Sequence, residues 1–558
     1  MTAMQWLIFF IVIQVIHFIG TWKLYEKAGR KWWEAVIPIY NGIVLMSIIN
    51  RPKWWVILLF IPVVNLIMFP IVWIETIRSF GKHSRIDSLL VIFTLGFYIY
   101  YINYFTNVEH IKDRSIQPRS SLGEWVSSIA FAIIAATLVH TYFMRPYVIP
   151  TSSLEKSLLI GDYLLVSKFH YGARVPMTPI ALPMVHDSIP FTGLRSYLKK
   201  PQLPYYRLPA LEKIKRNEIV VFNWPADSLK WMWNDYSGKY TYKPIDKKTN
   251  YVKRCVAIPG DSLQIIDGTI YINGEQSIMP DRAKPQYYYT LTGNEGFTTE
   301  NFPSYINAKA RKRHYKIKKE YWNDTRVQDA FKVEAYLTKV GEDSLYVEVA
   351  GGVSSNLISR LNIISVPNRM SVNLTQEEVD KIKKESNTQS IERLIHSNND
   401  DIFPQSDQYK WSQDNFGPIY IPKKGETVKL DSKSIPFYEH LIDEYERNNI
   451  TVDGDTVFIN GKIATDYTFK QDYYWMMGDN RHMSLDARFW GYTPFDHVIG
   501  KPVFIWMSYD GGIFRNPRWE RFFTTVHGTG KPVSYFYYFL GLLALWIGYS
   551  TFIKKKKE

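Results

Sequence analysis

The chain has 558 residues, a net charge of +14 and 16% aromatic residues, enough length for three or four domains. The positive charge does not indicate nucleic-acid binding, because no nucleic-acid motif or basic-aromatic repeat accompanies it; basic loops beside membrane spans explain it more simply. The single cysteine, Cys255, excludes an intramolecular disulfide.

The N-terminal quarter is strongly apolar, and a membrane span needs about 20 mostly apolar residues. No Lys or Arg precedes the first apolar run, which favours a retained span with an external N-terminus over a cleaved signal peptide. Pro62 and Pro70 should kink the apolar stretch 54–74. We interpret as membrane spans the stretches 4–22, 54–74, 88–105, 124–144 and 534–553.

The stretch 32–49 is less regular. Glu34, Pro38 and Asn41 interrupt it, so it fits an interfacial or re-entrant helix as well as a span.

Charge predicts the orientation of the spans. The basic segment 109–119 and the lysines 554–557 are typical of cytoplasmic loops, which places residues 146–533 outside the cytoplasm. The basic loop 78–85 argues against this scheme, and the topology of residues 1–105 stays open.

The external part is rich in short β-branched and aromatic runs separated by Gly, Asp, Asn and Pro, which predicts strands. Residues 267–275 (DGTIYINGE) and 453–462 (DGDTVFINGK) are alike, and both predict a hairpin with an Asn-Gly turn. An amphipathic helix is expected over about 375–396, where Thr375 and Glu378 have the spacing of a capping box.

Three serines follow the 124–144 span in RPYVIPTSSLEKSLLIGDYLLV (145–166), and no histidine lies nearby to serve as a base. A lysine can activate a serine if an apolar site lowers the pKa of its amine. The apolar strand NYVKRCVAIPGD (250–261) supplies Lys253, and strand alternation would point Lys253 and Arg254 in opposite directions, one into a site and one into solvent.

A third polar segment is WMMGDNRHMSLDARFWGYTP (475–494). Asp479 with Arg481, and Asp486 with Arg488, have the spacing of ion pairs that fix a loop. A hydroxyl such as Ser484 could orient a neutral lysine amine, and Gly478 leaves room for a side chain beside the backbone. Each segment alone is typical of a turn or a solvated edge, but the three together, directly outside a span, favour a catalytic site.

These segments together resemble bacterial type I signal peptidase, the membrane-bound Ser-Lys endopeptidase that removes signal peptides. The blocks that carry the resemblance are 147–172, 214–227, 251–261 and 476–494, followed by 498–510. The resemblance implies multi-pass α-helical membrane segments plus a mainly antiparallel β, extracytoplasmic catalytic domain with a large α+β insertion.

The resemblance also implies roles for individual residues. Ser153 matches the nucleophile and Lys253 the general base, while the Thr151 hydroxyl joins the Ser153 N–H in the oxyanion hole. Ser152 is disfavoured as the nucleophile, because on a strand its side chain would point to the opposite face from those of Thr151 and Ser153. The remaining matches are Ser484 (holds the amine), Gly478 (makes room), Asp486 with Arg488 and Asp479 with Arg481 (supporting pairs), and Ile149 with Val252 (substrate pockets).

The chain departs from the family after the nucleophile. Leu154 replaces a Met, and Lys156 and Ser157 stand where the family has Pro-Thr, which places charge near the expected membrane-facing edge. About 215 residues separate Asp261 from Gly478, a long insertion for which we predict a second β-rich lobe that handles partners or substrates.

The predicted parts are 1–105 (accessory multi-span module), 106–123 (cytoplasmic loop), 124–144 (span), 145–261 with 476–525 (catalytic domain), 262–475 (insertion), 534–553 (span) and 554–558 (cytoplasmic tail).

The predicted substrate is an exported preprotein, cut at the outer face of the cytoplasmic membrane; membrane lipid and the secretion translocon are further candidate partners. No cofactor is expected, and no metal, because the twelve histidines form no ligand-spaced cluster along the sequence. The alternative is a catalytically inactive membrane scaffold that binds envelope proteins, against which the intact Ser153, Lys253 and Ser484 argue. A transporter is weaker still, since the spans lack buried charge pairs.

Overall fold

The computed structural model describes residues 3–117, 120–227, 240–298, 300–307, 310–396, 401–512 and 514–553, so the predicted tail 554–558 lies outside it. The chain begins with a group of helices that share one apolar core, with Tyr25, Met46, Ile77 and Ile102 among its buried members. These helices are α1 (Ala3–Lys27), α2 (Tyr40–Ile48), α3 (Trp55–Leu59), α4 (Asn65–Ser79), α5 (Arg85–Phe93) and α6 (Tyr98–Phe105).

Within the described ranges, two helical segments are long and apolar enough to cross a membrane, Met4–Lys27 and Ser121–Phe143. The pair α5 and α6 would make a third span if counted together, but it is bent by 117°. The predicted span 54–74 is divided into α3 and α4 near Pro62, where a kink was expected, and the predicted span 88–105 corresponds to this bent pair rather than to one straight helix.

Backbone geometry explains the two breaks. Val63, next to Pro62, has φ +72°, and Leu95 has φ +52°, so neither residue can continue a right-handed helix. In the stretch 32–49 only nine residues are α-helical, and the apolar helix near the C-terminus, Phe536–Thr551, is shorter than a typical span.

The second candidate span leads directly into the catalytic sheet. Helix α7 (Ser121–Leu138) continues through one π-helical turn, Val139–Phe143, into the first strand. The strands that follow are β1 (Met144–Val148), β2 (Asp162–Ser167), β3 (Ile219–Asn223) and β4 (Asn250–Ala257).

Residues 262–475 then form a long series of strands and short helices. Its strands are β5 (Ser262–Ile266), β6 (Thr269–Ile272), β7 (Glu275–Gln276), β8 (Gln286–Gly293), β9 (Arg311–Lys318), β10 (Ala335–Glu342), β11 (Tyr346–Val353), β12 (Ile364–Thr375), β13 (Thr388–Arg393), β14 (Phe416–Tyr420), β15 (Thr427–Lys429), β16 (Ile450–Asp453), β17 (Thr456–Ile459), β18 (Lys462–Ile463) and β19 (Asp466–Thr468). Its helices are α8 (Lys319–Trp322), α9 (Thr325–Glu334), α10 (Ser355–Arg360), α11 (Gln376–Ile382) and α12 (Ile435–His440).

The chain returns to the catalytic sheet with β20 (Tyr473–Met477), α13 (Ala487–Trp490), β21 (Thr493–Pro494), β22 (Val498–Ser508) and β23 (Thr524–Thr525), and its last described helix is α14 (Phe536–Gly548). The sheet has the strand order β1-β2-β22-β3-β4-β20-β21, and β23 pairs with β22. Every neighbouring pair is antiparallel, which confirms the predicted mainly antiparallel domain.

The inserted residues build further sheets, of which the largest has six strands in the order β10-β11-β9-β12-β8-β13. Both predicted Asn-Gly hairpins are confirmed: β6 pairs with β7 and β17 with β18, and the turn residues Asn273 and Asn460 have positive φ.

The predicted capping box at Thr375 and Glu378 is also confirmed, but the long helix expected to 396 is wrong. Helix α11 ends at Ile382 and the chain turns into β13. The tertiary reason is that β13 adds to the edge of β8 and completes the six-stranded sheet.

Candidate active site

Strand β4 holds Lys253 inside the catalytic domain. Its neighbour across the sheet is Val220 of β3, and the lysine is only 3% exposed. Its Nζ donates a hydrogen bond to the Oγ of Ser484 at 3.0 Å. Burial lowers the pKa of Lys253 to about 8, because the charged amine loses its hydration. The nearby carboxylate of Asp486 opposes this shift only in part.

Gly478 brings the nucleophile turn and the lysine site together. A Cβ at this glycine would lie 2.3 Å from the Oγ of Ser484 and 2.5 Å from the carbonyl oxygen of Ser153. Only glycine leaves room for both groups at this position. The Ser153 carbonyl and the Ser484 hydroxyl that bonds Lys253 therefore lie on the same side of Gly478.

Ser153 lies in a single 3-10 turn, Ser152–Leu154, rather than on a strand. Strand alternation therefore does not set the direction of the Ser152 side chain, contrary to the prediction. Thr151 precedes the turn in extended conformation and is exposed, whereas Ser153 is 8% exposed. In the part of the chain that the structure describes, no acceptor bonds the Ser153 backbone N–H, which leaves it available to a ligand oxygen.

Asn480 fixes this turn from the opposite loop. Its backbone N–H donates to the carbonyl of Ser153 at 3.0 Å, and its Nδ2 donates to the carbonyl of Ser152 at 3.2 Å. Asn480 is not among the predicted site residues, although it lies in the GDNR segment. Its role depends on a contact across more than 300 residues.

Asp486 and Arg488 form the expected ion pair at 2.9 Å, both fully buried. Although burial opposes ionisation, Arg488 holds the pKa of Asp486 below its usual value, and the carboxylate also accepts the Gly478 N–H at 3.1 Å. This pair anchors the loop that carries Ser484.

The second predicted pair, Asp479 with Arg481, is wrong. Asp479 instead accepts two hydrogen bonds from Arg254, at 2.7 and 2.6 Å, and one from Ser157 at 2.6 Å. Arg254 is therefore buried and does not extend into solvent as expected. The Nη1 of Arg481 lies 3.7 Å from the sulfur of Met477.

Ile149 and Val252 pack in one apolar cluster with Leu154, next to the Ser153 turn. Ile149 is 3% exposed and Val252 is half-buried. The fold thus brings both predicted pocket residues to the site, in a surrounding that suits small apolar side chains.

The inserted strands contact the site directly, which the sequence did not show. Gln286 donates from Nε2 to the carbonyl of Glu155 at 2.6 Å and from its backbone to the carbonyl of Asp479 at 2.8 Å. Lys156 forms an ion pair with Glu378 of α11, so this unusual lysine faces the insertion. No local signal could have identified these partners.

The fold also assembles a histidine cluster, although the spacing along the sequence indicated none. His396, Asp414 and His482 bring potential ligand atoms within 4.8 Å of one another. However, the Nδ1 of His482 accepts the Tyr288 N–H at 2.9 Å, so its proton is on Nε2, which donates to Asp414 at 2.8 Å. A coordinating nitrogen needs a free lone pair, so this arrangement is a hydrogen-bond network and does not fit a metal.

Comparisons with known proteins agree with this geometry. The chain resembles the signal peptidase I of Buchnera aphidicola subsp. Schizaphis graminum, with 21% identity over 426 residues that cover 73% of this chain and 85% of the relative. The signal peptidase I of Rickettsia felis is 29% identical over 153 residues, 27% of this chain and 43% of the relative. The chain thus spans less than half the length of that second relative.

Two family profiles match separate parts of the chain. Residues 33–113 match a family of unknown function (DUF5684). Residues 122–347 and 420–507, more than half of the chain, match the family described as signal peptidase, peptidase S26. Only 348–419 of the predicted insertion lies between these matched segments. The chain therefore belongs to the signal peptidase family, peptidase S26.

Proposed function

We propose that Ser153 is the nucleophile and Lys253 the general base of this peptidase. The family gives the activity: the chain is a serine endopeptidase that cleaves signal peptides. The observation that carries the residue assignment is the buried Lys253 amine, bonded to Ser484 on the side of Gly478 that also faces Ser153.

In the proposed reaction, neutral Lys253 takes the proton from the Ser153 hydroxyl as its oxygen attacks the scissile carbonyl. The Ser153 N–H and the Thr151 hydroxyl donate to the developing oxyanion, which contributes about 3 kcal/mol per donor in comparable sites. Lys253 then protonates the leaving amine, and afterwards removes a proton from the water that hydrolyses the acyl-enzyme.

The substrate we propose is a preprotein whose signal peptide is still in the membrane. Its extended segment adds to the outer edge of β1, which is the terminal strand of the sheet and leads to Ile149. Small residues before the cut would occupy the space beside Ile149 and Val252.

Signal peptidases are membrane proteins, and α7 supplies one candidate span directly before the catalytic sheet. We place the catalytic domain on the extracytoplasmic side, because the basic segment 109–119 precedes this span. On this side the enzyme meets exported preproteins, membrane lipid and the secretion translocon.

The test is cleavage of a preprotein bearing an Ala-X-Ala site by the full chain in detergent micelles. Ser153→Ala and Lys253→Met should abolish cleavage, whereas the adjacent control Ser152→Ala should retain it. Cleavage by Lys253→Met would place the base elsewhere. Absence of cleavage by the folded wild type would favour a scaffold.

A further inference from the structure

A cavity of about 120 Å³ lies where the candidate span α7 meets the catalytic domain. Thr137 and Thr141, from the last turns of the spanning segment, line one side, and Val63 of the N-terminal module contributes another wall. A cavity that holds a single water needs only about 10–15 Å³, so this one can take a group of several atoms. Since the span ends here, the cavity is at the level of lipid headgroups.

The cavity is strongly cationic. Four basic side chains line it, Arg145, Lys168, Arg174 and Lys247, against one carboxylate, Asp246. That carboxylate accepts hydrogen bonds from the hydroxyl of Thr178 at 2.7 Å and from two backbone N–H groups, and its single charge offsets only part of the repulsion among the four cations.

None of the four cations has a carboxylate partner within ion-pair distance among the described residues. Arg174 bonds two neutral oxygens, the carbonyl of Asp496 and the Oδ1 of Asn223, each at 2.6 Å. Arg145 lies 5.4 Å from the ring centre of Tyr147, and the Lys168 ammonium makes no side-chain hydrogen bond in the described structure.

This arrangement is electrostatically costly without a counter-ion. Burial, with repulsion from Arg145, Arg174 and Arg207 added, lowers the pKa of Lys168 to about 7 although Asp246 opposes this shift. A bound anion would offset the repulsion, and guanidinium and ammonium groups together are suited to phosphate oxygens.

A second observation indicates where the anion comes from. The segment beside the cavity exposes large apolar side chains, which a soluble face rarely groups together. They are Ile180, Leu182, Met184, Phe191, Leu194 and Leu198, and Phe191 is fully exposed. Apolar side chains around a basic pocket at the end of a span are typical of a surface that contacts lipid.

We propose that this cavity binds the phosphate group of an anionic phospholipid and thereby seats the catalytic domain on the membrane surface beside α7. The site is separate from the Ser153 and Lys253 machinery, and the proposal does not depend on their roles.

The test measures lipid binding by the full chain. Protein is incubated with phosphatidylcholine vesicles that contain or lack phosphatidylglycerol, re-extracted in mild detergent, and analysed by native mass spectrometry for retained lipid. Wild type should retain phosphatidylglycerol selectively, and Arg145→Gln/Lys168→Gln should reduce this retention by about tenfold or more. Two exposed lysines of the insertion provide the matched control, Lys424→Gln/Lys462→Gln, which should retain lipid as wild type does.

Thermal unfolding in detergent is the second measurement. Removal of like charges should leave the lipid-free Tm of the double variant unchanged or higher, and added phosphatidylglycerol should raise the Tm of wild type only. If the double variant does not fold, Lys247→Gln alone serves the same test.

Equal retention by wild type and variant would overturn the proposal. Inorganic phosphate is tested alone in parallel. If phosphate raises the Tm of wild type and phosphatidylglycerol is not retained, the cavity binds free phosphate, and the lipid assignment is wrong.

Discussion

The Nζ of Lys253 lies 3.0 Å from the Oγ of Ser484, although 231 positions separate the two residues in the chain. The hydroxyl accepts the amine's hydrogen bond and so fixes its direction. The proposed general base is thus held by a residue of the loop between β20 and α13.

Ser484→Ala should therefore lower kcat by on the order of 10²-fold, because an amine that is free to rotate is poorly aimed at the Ser153 proton. KM should change little, since the Ser484 hydroxyl is proposed to act on the lysine amine and not on the substrate. Steady-state cleavage of a preprotein separates the two constants. Ser484→Thr keeps the hydroxyl and should restore part of the rate; equal loss in both variants would mean that packing, rather than the hydrogen bond, matters.

Cleavage should depend on pH through Lys253. The pKa of about 8 means that the amine is mostly protonated at neutral pH, so kcat/KM should rise about tenfold per pH unit below pH 8 and level off above it.

Asp486 raises the pKa of Lys253, so Asp486→Asn should shift this profile to lower pH. Its unfolding must be followed in parallel, because Arg488 then loses its partner. A profile that does not move in a folded variant would contradict the assignment of Lys253.

Gly478→Ala should damage the site sterically. The added Cβ would lie 2.3 Å from Ser484 Oγ and 2.5 Å from Ser153 O, so one of these groups must move. We expect loss of most activity and destabilisation of about 1–3 kcal/mol, as is usual for overpacking. Gly352→Ala is the matched control, since its Cβ would meet no atom within 4 Å. Normal cleavage by Gly478→Ala would show that this approach is not needed.

The inserted strands should support catalysis through Gln286. Gln286→Ala removes the bond to the Glu155 carbonyl and loosens the turn that carries Ser153. We expect kcat to fall roughly tenfold, because small displacements of a reacting group are costly. Gln276→Ala, on the exposed strand β7, provides the control. Unchanged kcat in Gln286→Ala would limit the insertion to other roles.

The ion pair between Lys156 and Glu378 should contribute less. Both side chains are partly exposed, at 31% and 19%, so Glu378→Gln should lower stability by no more than about 1 kcal/mol. Chemical denaturation in detergent measures this. A much larger loss would mean that docking of α11 onto the nucleophile turn depends on this pair.

Several features could be predicted because their signals are local. The Asn-Gly turns at Asn273 and Asn460 favour positive φ, and Thr375 caps its helix three residues ahead of Glu378, so each element forms as predicted. The blocks around Ser153, Lys253 and Ser484 likewise identified the family, because each carries its chemistry within a few residues.

Other features depend on distant parts of the chain. Asp479 pairs with Arg254 rather than Arg481, since only the packing of β4 against β20 decides which guanidinium is nearest. The break at Leu95 interrupts a sequence whose apolar composition alone favours one straight span, whereas the break at Val63 lies beside Pro62, where a kink was predicted.

The sequence by itself determined the family, the antiparallel strands and the residue types of the proposed dyad, because these follow from local patterns and short motifs. Only the tertiary structure decided that Asn480 and Gln286 hold the nucleophile turn, and that Arg145 and Lys168 share a cavity. Such contacts join residues far apart in the chain, and the packing of sheets and helices sets their distances, which no local pattern encodes.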